Sequence, residues 1–312
     1  MSGNSRLIQG LAWSMAGLAI FSGWMVVTRL VMTADLRVWD VIALRYGGGT
    51  LVLLPVLLGQ CARLPWRAWR EGIVLGCLWG APFVLAVAFG LRLTSVAHAS
   101  SITPGLMPIF AGGFAWALLG ERPTPARLAG YGVILAGVGL LLWASSGPGA
   151  GISVVGLMAL VAAAAIWGAY PLRLSRSGLT SIQAASLVCF WSAAAFLPVY
   201  VLAGLSYLSR ASFGEVAFQA LYQGVLMSGV AILAFNRAVA LLGPVAAAAI
   251  IALVPAVATG VAGPVLGEAP STTAWAAIGM IGCGVILAAA IGRSIATMRR
   301  RNPVTETSTA RP

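Results

Sequence analysis

The chain has 312 residues, of which 60% are hydrophobic and 8% charged, and its mean hydropathy is +0.96. A soluble domain gives roughly a quarter of its residues to Asp, Glu, Lys and Arg, so a water-exposed surface is excluded over most of the chain. The net charge of +12 comes from 19 basic residues, all arginine. They flank apolar spans instead of gathering on one element, which speaks against nucleic acid and for contact with anionic lipid heads.

The apolar residues come in unbroken blocks of roughly 20, the length of a membrane-crossing helix, and do not alternate as in a transmembrane β-barrel. The first block could be taken for a secretory signal. Its apolar part is too long, however, and no small-x-small site closes it, so it reads as an uncleaved span. Ten spans are predicted, at 8–30, 39–59, 71–92, 97–119, 125–143, 153–173, 181–204, 214–240, 244–266 and 272–292, in an all-α polytopic membrane protein. Residues 293–312, basic and then polar, are expected to form a disordered tail. With the N-terminus inside, 14 arginines fall on the inner side, against Arg29, Arg37, Arg92 and Arg210 outside. That bias predicts that both termini face the cytoplasm, and the expected location is the inner membrane of a bacterium.

The chain also repeats itself. Residues 101–143 can be laid over 249–289 with a shift of 147. Pro108 then meets Pro255, Gly113 meets Gly260, and Leu119-Gly120-Glu121 meets Leu266-Gly267-Glu268. Gly132 and Gly137 meet Gly279 and Gly284. The starts of the halves match more loosely, 21–30 against 166–174, which makes Trp24 and Trp167 near-equivalents. The units are residues 8–143 and 153–292. Five spans per copy is an odd number, so the second copy is expected to enter the membrane upside down, with Glu121 inside and Glu268 outside. Inverted halves can exchange conformations and so give alternating access to a central site.

With these features the chain resembles the drug/metabolite transporter superfamily and, within it, the EamA-type ten-span carriers, over about residues 8–292. The likeness rests on the duplicated five-span unit and on the Pro…Leu-Gly-Glu-x-Pro pattern closing the fourth and ninth spans. The Gly-rich fifth and tenth spans and Leu44-Arg45-Tyr46 at the start of the second add to it. The resemblance implies a transporter, not an enzyme, whose substrate path is walled mainly by spans 3, 4, 8 and 9 with 1 and 6. The bacterial aromatic-amino-acid exporters are the most similar branch. They imply export of aromatic or hydrophobic amino acids; a purine, sugar derivative or lipophilic drug would use the same scaffold.

Ionisable groups inside the membrane are costly, about 2.5–3.5 kcal/mol even on a lenient scale, and this chain has few. The first span holds no acid, whereas the four-span small multidrug transporters of the same superfamily carry a glutamate there. There is no lysine and no midplane arginine pair. A neutral or zwitterionic, partly apolar small-molecule substrate is implied, moved by facilitated efflux or exchange. Arg45 is expected to snorkel outward and pair with Asp40 or Asp35, a gating ion pair being the alternative. Glu121 and Glu268 are expected to anchor span ends.

Cys61, Cys77, Cys189 and Cys283 form no Cys-x-x-Cys, and neither metal nor cofactor is implied. Cys77, Cys189 and Cys283 are expected in the core, with Cys61 as an interfacial thiol. His98 is the only histidine and opens the fourth span ahead of Ser100, Ser101 and Thr103; a proton-sensing role competes with a structural one. Nucleophilic catalysis is disfavoured, because no triad can be assembled. Whether the protein is a monomer or a homodimer is left open.

Aromatic rings at depth are the better candidates. Trp79 and Phe83 are spaced i, i+4 on the third span, on a face shared with Gly76 and Gly80. Tyr222 and Gln223 stand at the matching level of the eighth span, and Trp24 and Trp167 in the first and sixth. With His98 and Ser101 they form the candidate substrate-binding set, rings with a few convergent polar groups. Plain helix packing or lipid contact is the competing reading for each ring. Pro104, Pro108 and Pro255 lie inside predicted spans, and the repeat-related Pro108 and Pro255 are a candidate paired hinge, with static bends as the alternative.

Overall fold

A computed structural model of the chain describes residues 3–33, 36–145, 153–242 and 252–290. All regular structure among them is helical. The chain opens with α1 (Gly3–Thr33), followed by α2 (Val38–Val52) and α3 (Leu54–Gly59), which meet at a 55° bend. Pro55 lies in the first turn of α3, where its missing N–H costs nothing and starts a new helix. Next come α4 (Trp66–Trp79) and α5 (Ala81–Leu93), then α6 (Val96–Leu119) and α7 (Pro125–Ala144). The second half holds α8 (Val154–Ser177), α9 (Ser181–Leu202) and α10 (Phe213–Gln219). The last of these runs through a π-helical stretch, Ala220–Val230, into α11 (Ala231–Leu242). Two further helices, α12 (Val254–Leu266) and α13 (Thr272–Ala290), complete it.

Seven of these helical runs are long and apolar enough to cross a bilayer, or eight if the bent α2–α3 pair is one span. Among the described residues the chain is thus an all-α polytopic protein of seven to eight such helices, with α12 and α13 as shorter apolar helices. Part of the predicted ninth span, residues 244–251, lies outside the described residues.

Helix ends follow their local chemistry. Ser95, Thr124, Ser153 and Thr180 cap α6, α7, α8 and α9 through side-chain oxygens that accept backbone N–H bonds. The two Leu-Gly-Glu segments end α6 and α12 in the same way. Gly120 and Gly267 both take φ 70°, the left-handed conformation that a glycine adopts without a Cβ clash.

Two packings fix the architecture. Helices α6 and α8 run parallel: a Cβ on Gly156 would lie 2.8 Å from Leu93, and one on Gly168 would lie 2.8 Å from Phe110. Helices α7 and α13 run antiparallel through glycine. A Cβ on Gly137 would sit 2.8 Å from the Ile281 side chain and 3.1 Å from Ala277 O. One on Gly284 would sit 2.8 Å from the Ile134 side chain and 2.9 Å from Gly130 O. Small residues let apolar helices approach closely where lipid offers no hydrophobic drive to associate.

An ion pair lies at each end of the bundle. At one end Arg29 of α1 meets Glu268 at 3.5 Å and also donates to Leu91 O of α5. The same glutamate accepts the Val96 N–H of α6 at 2.9 Å. At the other end Arg173 of α8 holds Glu71 of α4 in a two-pronged contact of 2.8 and 2.7 Å. Glu121 is exposed at this second end, past the C-terminus of α6.

Several expectations are corrected here. The third span, which runs from Trp66 to Leu93, is interrupted at Gly80: α4 stops at Trp79 and α5 starts at Ala81 with Pro82 in its first turn, while Trp79 and Phe83 both face α8, at Tyr170 and Trp167. A Cβ on the intervening Gly80 would collide with Gly76 O and Ser192 Oγ. Cys61 is buried, whereas Cys77 and Cys283 are exposed, because those two point away from the neighbouring helices. Pro255 stands in the first turn of α12 and not inside a helix, while Pro104 and Pro108 are interior to an unbroken α6.

Candidate functional site

Aromatic rings from four helices meet within the bundle. The Trp24 ring of α1 stacks on Phe83 of α5 at 6.0 Å, and Phe83 meets Trp167 of α8 at 5.6 Å. Phe83 therefore stands between two tryptophans that are near-equivalents in the looser match of the two halves. Beside them Trp79 packs against Tyr170 at 4.7 Å, and the Tyr46 hydroxyl of α2 donates to Trp79 O at 3.0 Å. The break at Gly80 separates α4 from α5, and Trp79 and Phe83 on either side of it meet Tyr170 and Trp167, three residues apart on α8.

Arg45 joins the cluster. Its guanidinium carbon lies 4.9 Å from the Trp24 ring and 5.7 Å from that of Tyr46, and the residue is 4% exposed. This corrects the snorkelling expectation. Asp40 is occupied elsewhere, taking the Tyr200 hydroxyl at 2.5 Å, the Tyr207 N–H at 3.0 Å and the Arg37 N–H at 2.8 Å. Asp35 lies outside the described residues. Arg45 Nε and Nη1 have no hydrogen-bond partner. Cation–π contact is worth up to about 2 kcal/mol when dry, which offsets part of the cost of burying the charge.

Helix α2 is pressed against the π stretch. A Cβ on Gly224 would lie 3.0 Å from Leu44 O and 3.1 Å from Gly48 Cα. Ser228 Oγ reaches Arg45 O at 3.2 Å and Gln223 O at 3.1 Å. Gln223 is fully buried; its amide donates to Gln219 Oε1 at 3.4 Å, and its own Oε1 has no partner.

The remaining candidates stand apart. Tyr222 is a strut: its hydroxyl donates to Ile20 O at 2.8 Å, over Gly23, and its ring packs against Phe218. His98 is buried in the first turn of α6, with Nδ1 2.7 Å from Ser95 Oγ and Nε2 without a partner. That places it at the Glu268 end, away from the rings. Ser101 is buried in α6 with its hydroxyl unpartnered. Among the described residues, no group of three or more His, Cys, Asp and Glu side chains is placed to hold a metal ion.

Two segments of the chain, residues 8–143 and 154–290, each match the EamA-like transporter family. The chain belongs to that family. As an EamA-like protein it is a multi-pass inner-membrane transporter of small molecules and not an enzyme. It is 32% identical over 187 residues to the aromatic amino acid exporter YddG of Ancylobacter novellus. That match spans 59% of this chain and 61% of the relative. A crystal structure at 23% identity shares the fold, with a TM-score of 0.63 over 94% of this chain and 99% of that one. Trp24 and Phe83 lie in the first EamA-like unit and Trp167 in the second, so the ring cluster is built by both.

The Leu44-Arg45-Tyr46 segment is visible in the sequence, but the burial of Arg45 is not. Nor is Tyr170, whose partner Trp79 comes from a helix 91 residues earlier in the chain.

Proposed function

We propose that this transporter exports a neutral or zwitterionic amphiphile, an aromatic or hydrophobic amino acid in particular, by alternating access between two inverted five-span halves. The observation that carries this reading is the Trp24–Phe83–Trp167 contact. Rings contributed by both halves offer an apolar surface at mid-depth, where the walls of an alternating-access path must separate and rejoin.

The inverted arrangement is supported by the antiparallel glycine contact of α7 with α13, in which positions related by the 147-residue shift touch one another's counterparts. Ten spans and cytoplasmic termini complete the reading, on the arginine bias. The end bearing Glu268 then faces outward and is closed by Arg29, while the inner end has Arg173 on Glu71. Arg29 and Arg173 pair in the looser match of 21–30 with 166–174, and Glu121 and Glu268 pair under the 147-residue shift. The inner counterpart of the outer lock is therefore Arg173 with Glu121. In the opposite state Arg173 leaves Glu71 for Glu121, which lies at the same end because α6 and α8 run parallel. Pro108 and Pro255 sit on the two helices that lead to Glu121 and Glu268, where a paired hinge would let each lock open.

The test is flux of radiolabelled phenylalanine and tryptophan into liposomes holding the purified protein, with and without a proton gradient. Flux of aromatic amino acids above empty vesicles, without need of the gradient, is the expected result. Flux of purines or lipophilic cations alone would replace the substrate assignment.

A further inference from the structure

Arg45 has two features that packing does not explain. It is buried yet meets no carboxylate among the described residues, and two of its three guanidinium nitrogens have no hydrogen-bond partner. The nearest acid on its own helix, Asp40, is saturated by Tyr200, Tyr207 and Arg37. A buried cation normally carries a partner, because leaving its donors unmade costs more than the bonds are worth. A residue serving only to pack would be better as an apolar side chain. Here the charge is kept, held beside Trp24 and Tyr46 with Nε and Nη1 unused.

We infer that Arg45 is the carboxylate-recognition group of the substrate site, so that the transported class is monocarboxylates with an apolar body. This rests on the transporter reading above and narrows it. A guanidinium presents parallel N–H donors that match a carboxylate in two-pronged fashion. One arginine neutralises one negative charge, which selects a monocarboxylate over a dianion or a phosphate ester. The rings next to it, Trp24 and then Phe83 and Trp167, take the apolar body. On the segment packed against α2, Gln223 Oε1 is a fully buried acceptor with no donor, suited to an ammonium group. A zwitterionic α-amino acid with an aromatic side chain satisfies all three. An uncharged amine or amide of the same shape leaves Arg45 unpaired.

The experiment compares L-phenylalanine with L-phenylalaninamide and phenylacetate, on the full chain, by thermal stabilisation in detergent and by flux in liposomes. The wild type is expected to prefer both carboxylates to the amide by about tenfold or more, the scale of one charge-assisted hydrogen-bond pair. Arg45→Gln should bring that ratio close to one. Arg45→Lys, which keeps the charge without the planar fork, should retain part of it and serves if the glutamine variant does not fold. A wild type that is stabilised equally by phenylalanine and its amide overturns the inference, as does an Arg45→Gln protein that keeps the full preference. Carboxylate-dependent stabilisation with no flux of any compound supports the Arg45 site while sinking the transport assignment, so the two failures are distinguishable.

Discussion

Gly137 and Gly284, 147 residues apart, hold equivalent places in one reciprocal contact. Gly137 faces Ile281 and the Ala277 carbonyl, and Gly284 faces Ile134 and the Gly130 carbonyl. Every residue in this set is the partner's counterpart under the repeat shift. Their equivalence gives a stringent expectation. Gly137→Val and Gly284→Val should destabilise by similar amounts, about 1–3 kcal/mol each, as overpacked interiors do. Gly139, which has open space where a Cβ would go, is the control. Gly139→Ala should be neutral or slightly stabilising, since alanine is the better helix former. Thermal melts in detergent decide it, and strongly unequal losses at 137 and 284 would break the equivalence.

The two end locks should respond differently to charge removal. Glu121 is exposed, so Glu121→Gln is expected to leave stability within about 0.5 kcal/mol, as surface changes usually do. If Arg173 moves to Glu121 in the opposite state, the same change should slow transport several-fold. Glu71→Gln should act in the reverse sense by weakening the state seen here. A Glu121→Gln carrier as fast as its parent removes the exchange.

At the end proposed above to face outward, Glu268 both pairs with Arg29 and accepts from the start of α6. Glu268→Gln should release both contacts and raise the labelling rate of a cysteine introduced at Ser101 by a membrane-impermeant reagent added from outside. Pairs of this partly exposed kind are worth about 0.2–1 kcal/mol, so an increase of roughly 1.4- to five-fold is expected. The charge reversal Arg29→Glu with Glu268→Arg should restore the slow rate.

The native thiols test the helix orientations without any substitution. Cys77 and Cys283 are exposed, and Cys61 and Cys189 are buried. In detergent N-ethylmaleimide is expected to modify the first pair and spare the second until the protein is denatured, which mass spectrometry of the intact chain reads directly.

Phe83 stands between Trp24 and Trp167 and is 1% exposed, so its loss has two separable effects. Phe83→Ala should cost about 3–5 kcal/mol of stability, the usual range for emptying a buried ring site. Trp167→Ala, at a half-buried position, should cost less stability and raise the KM for phenylalanine more than it lowers the maximal rate. A Trp167→Ala carrier with unchanged KM would remove that ring from the substrate path.

Part of this architecture is legible in the residue string, and the rest is hidden for identifiable reasons. The two Leu-Gly-Glu segments can be matched by eye, because a left-handed helix stop needs glycine and leaves a mark. The rings Trp24, Phe83 and Trp167 can be named because tryptophan at membrane depth is conspicuous. The spacing of Trp79 and Phe83 suggests one face, although Gly80-Ala81-Pro82 holds the warning that a helix restarts there. The direction of Arg45 cannot be read from α2 alone: whether a long side chain rises to the interface or folds inward depends on Trp24, which another helix supplies. Tyr222 looks like a lining residue because nothing in its own segment reveals that its hydroxyl reaches Ile20.

The π stretch of α10–α11 has a consequence for direction. Its counterpart in the first half is the break at Gly80, so the two halves are irregular at the same level but in different ways. Each extra residue in a π turn rotates the downstream helix by about a quarter-turn relative to an uninterrupted α-helix. If the halves alternate as proposed, they cannot trade places as identical shapes, and the two end states are expected to differ in energy. A carrier with interchangeable halves would rest equally at either side of the membrane. On the proposed mechanism this one is expected to have a built-in resting preference, written in the winding of a single helix.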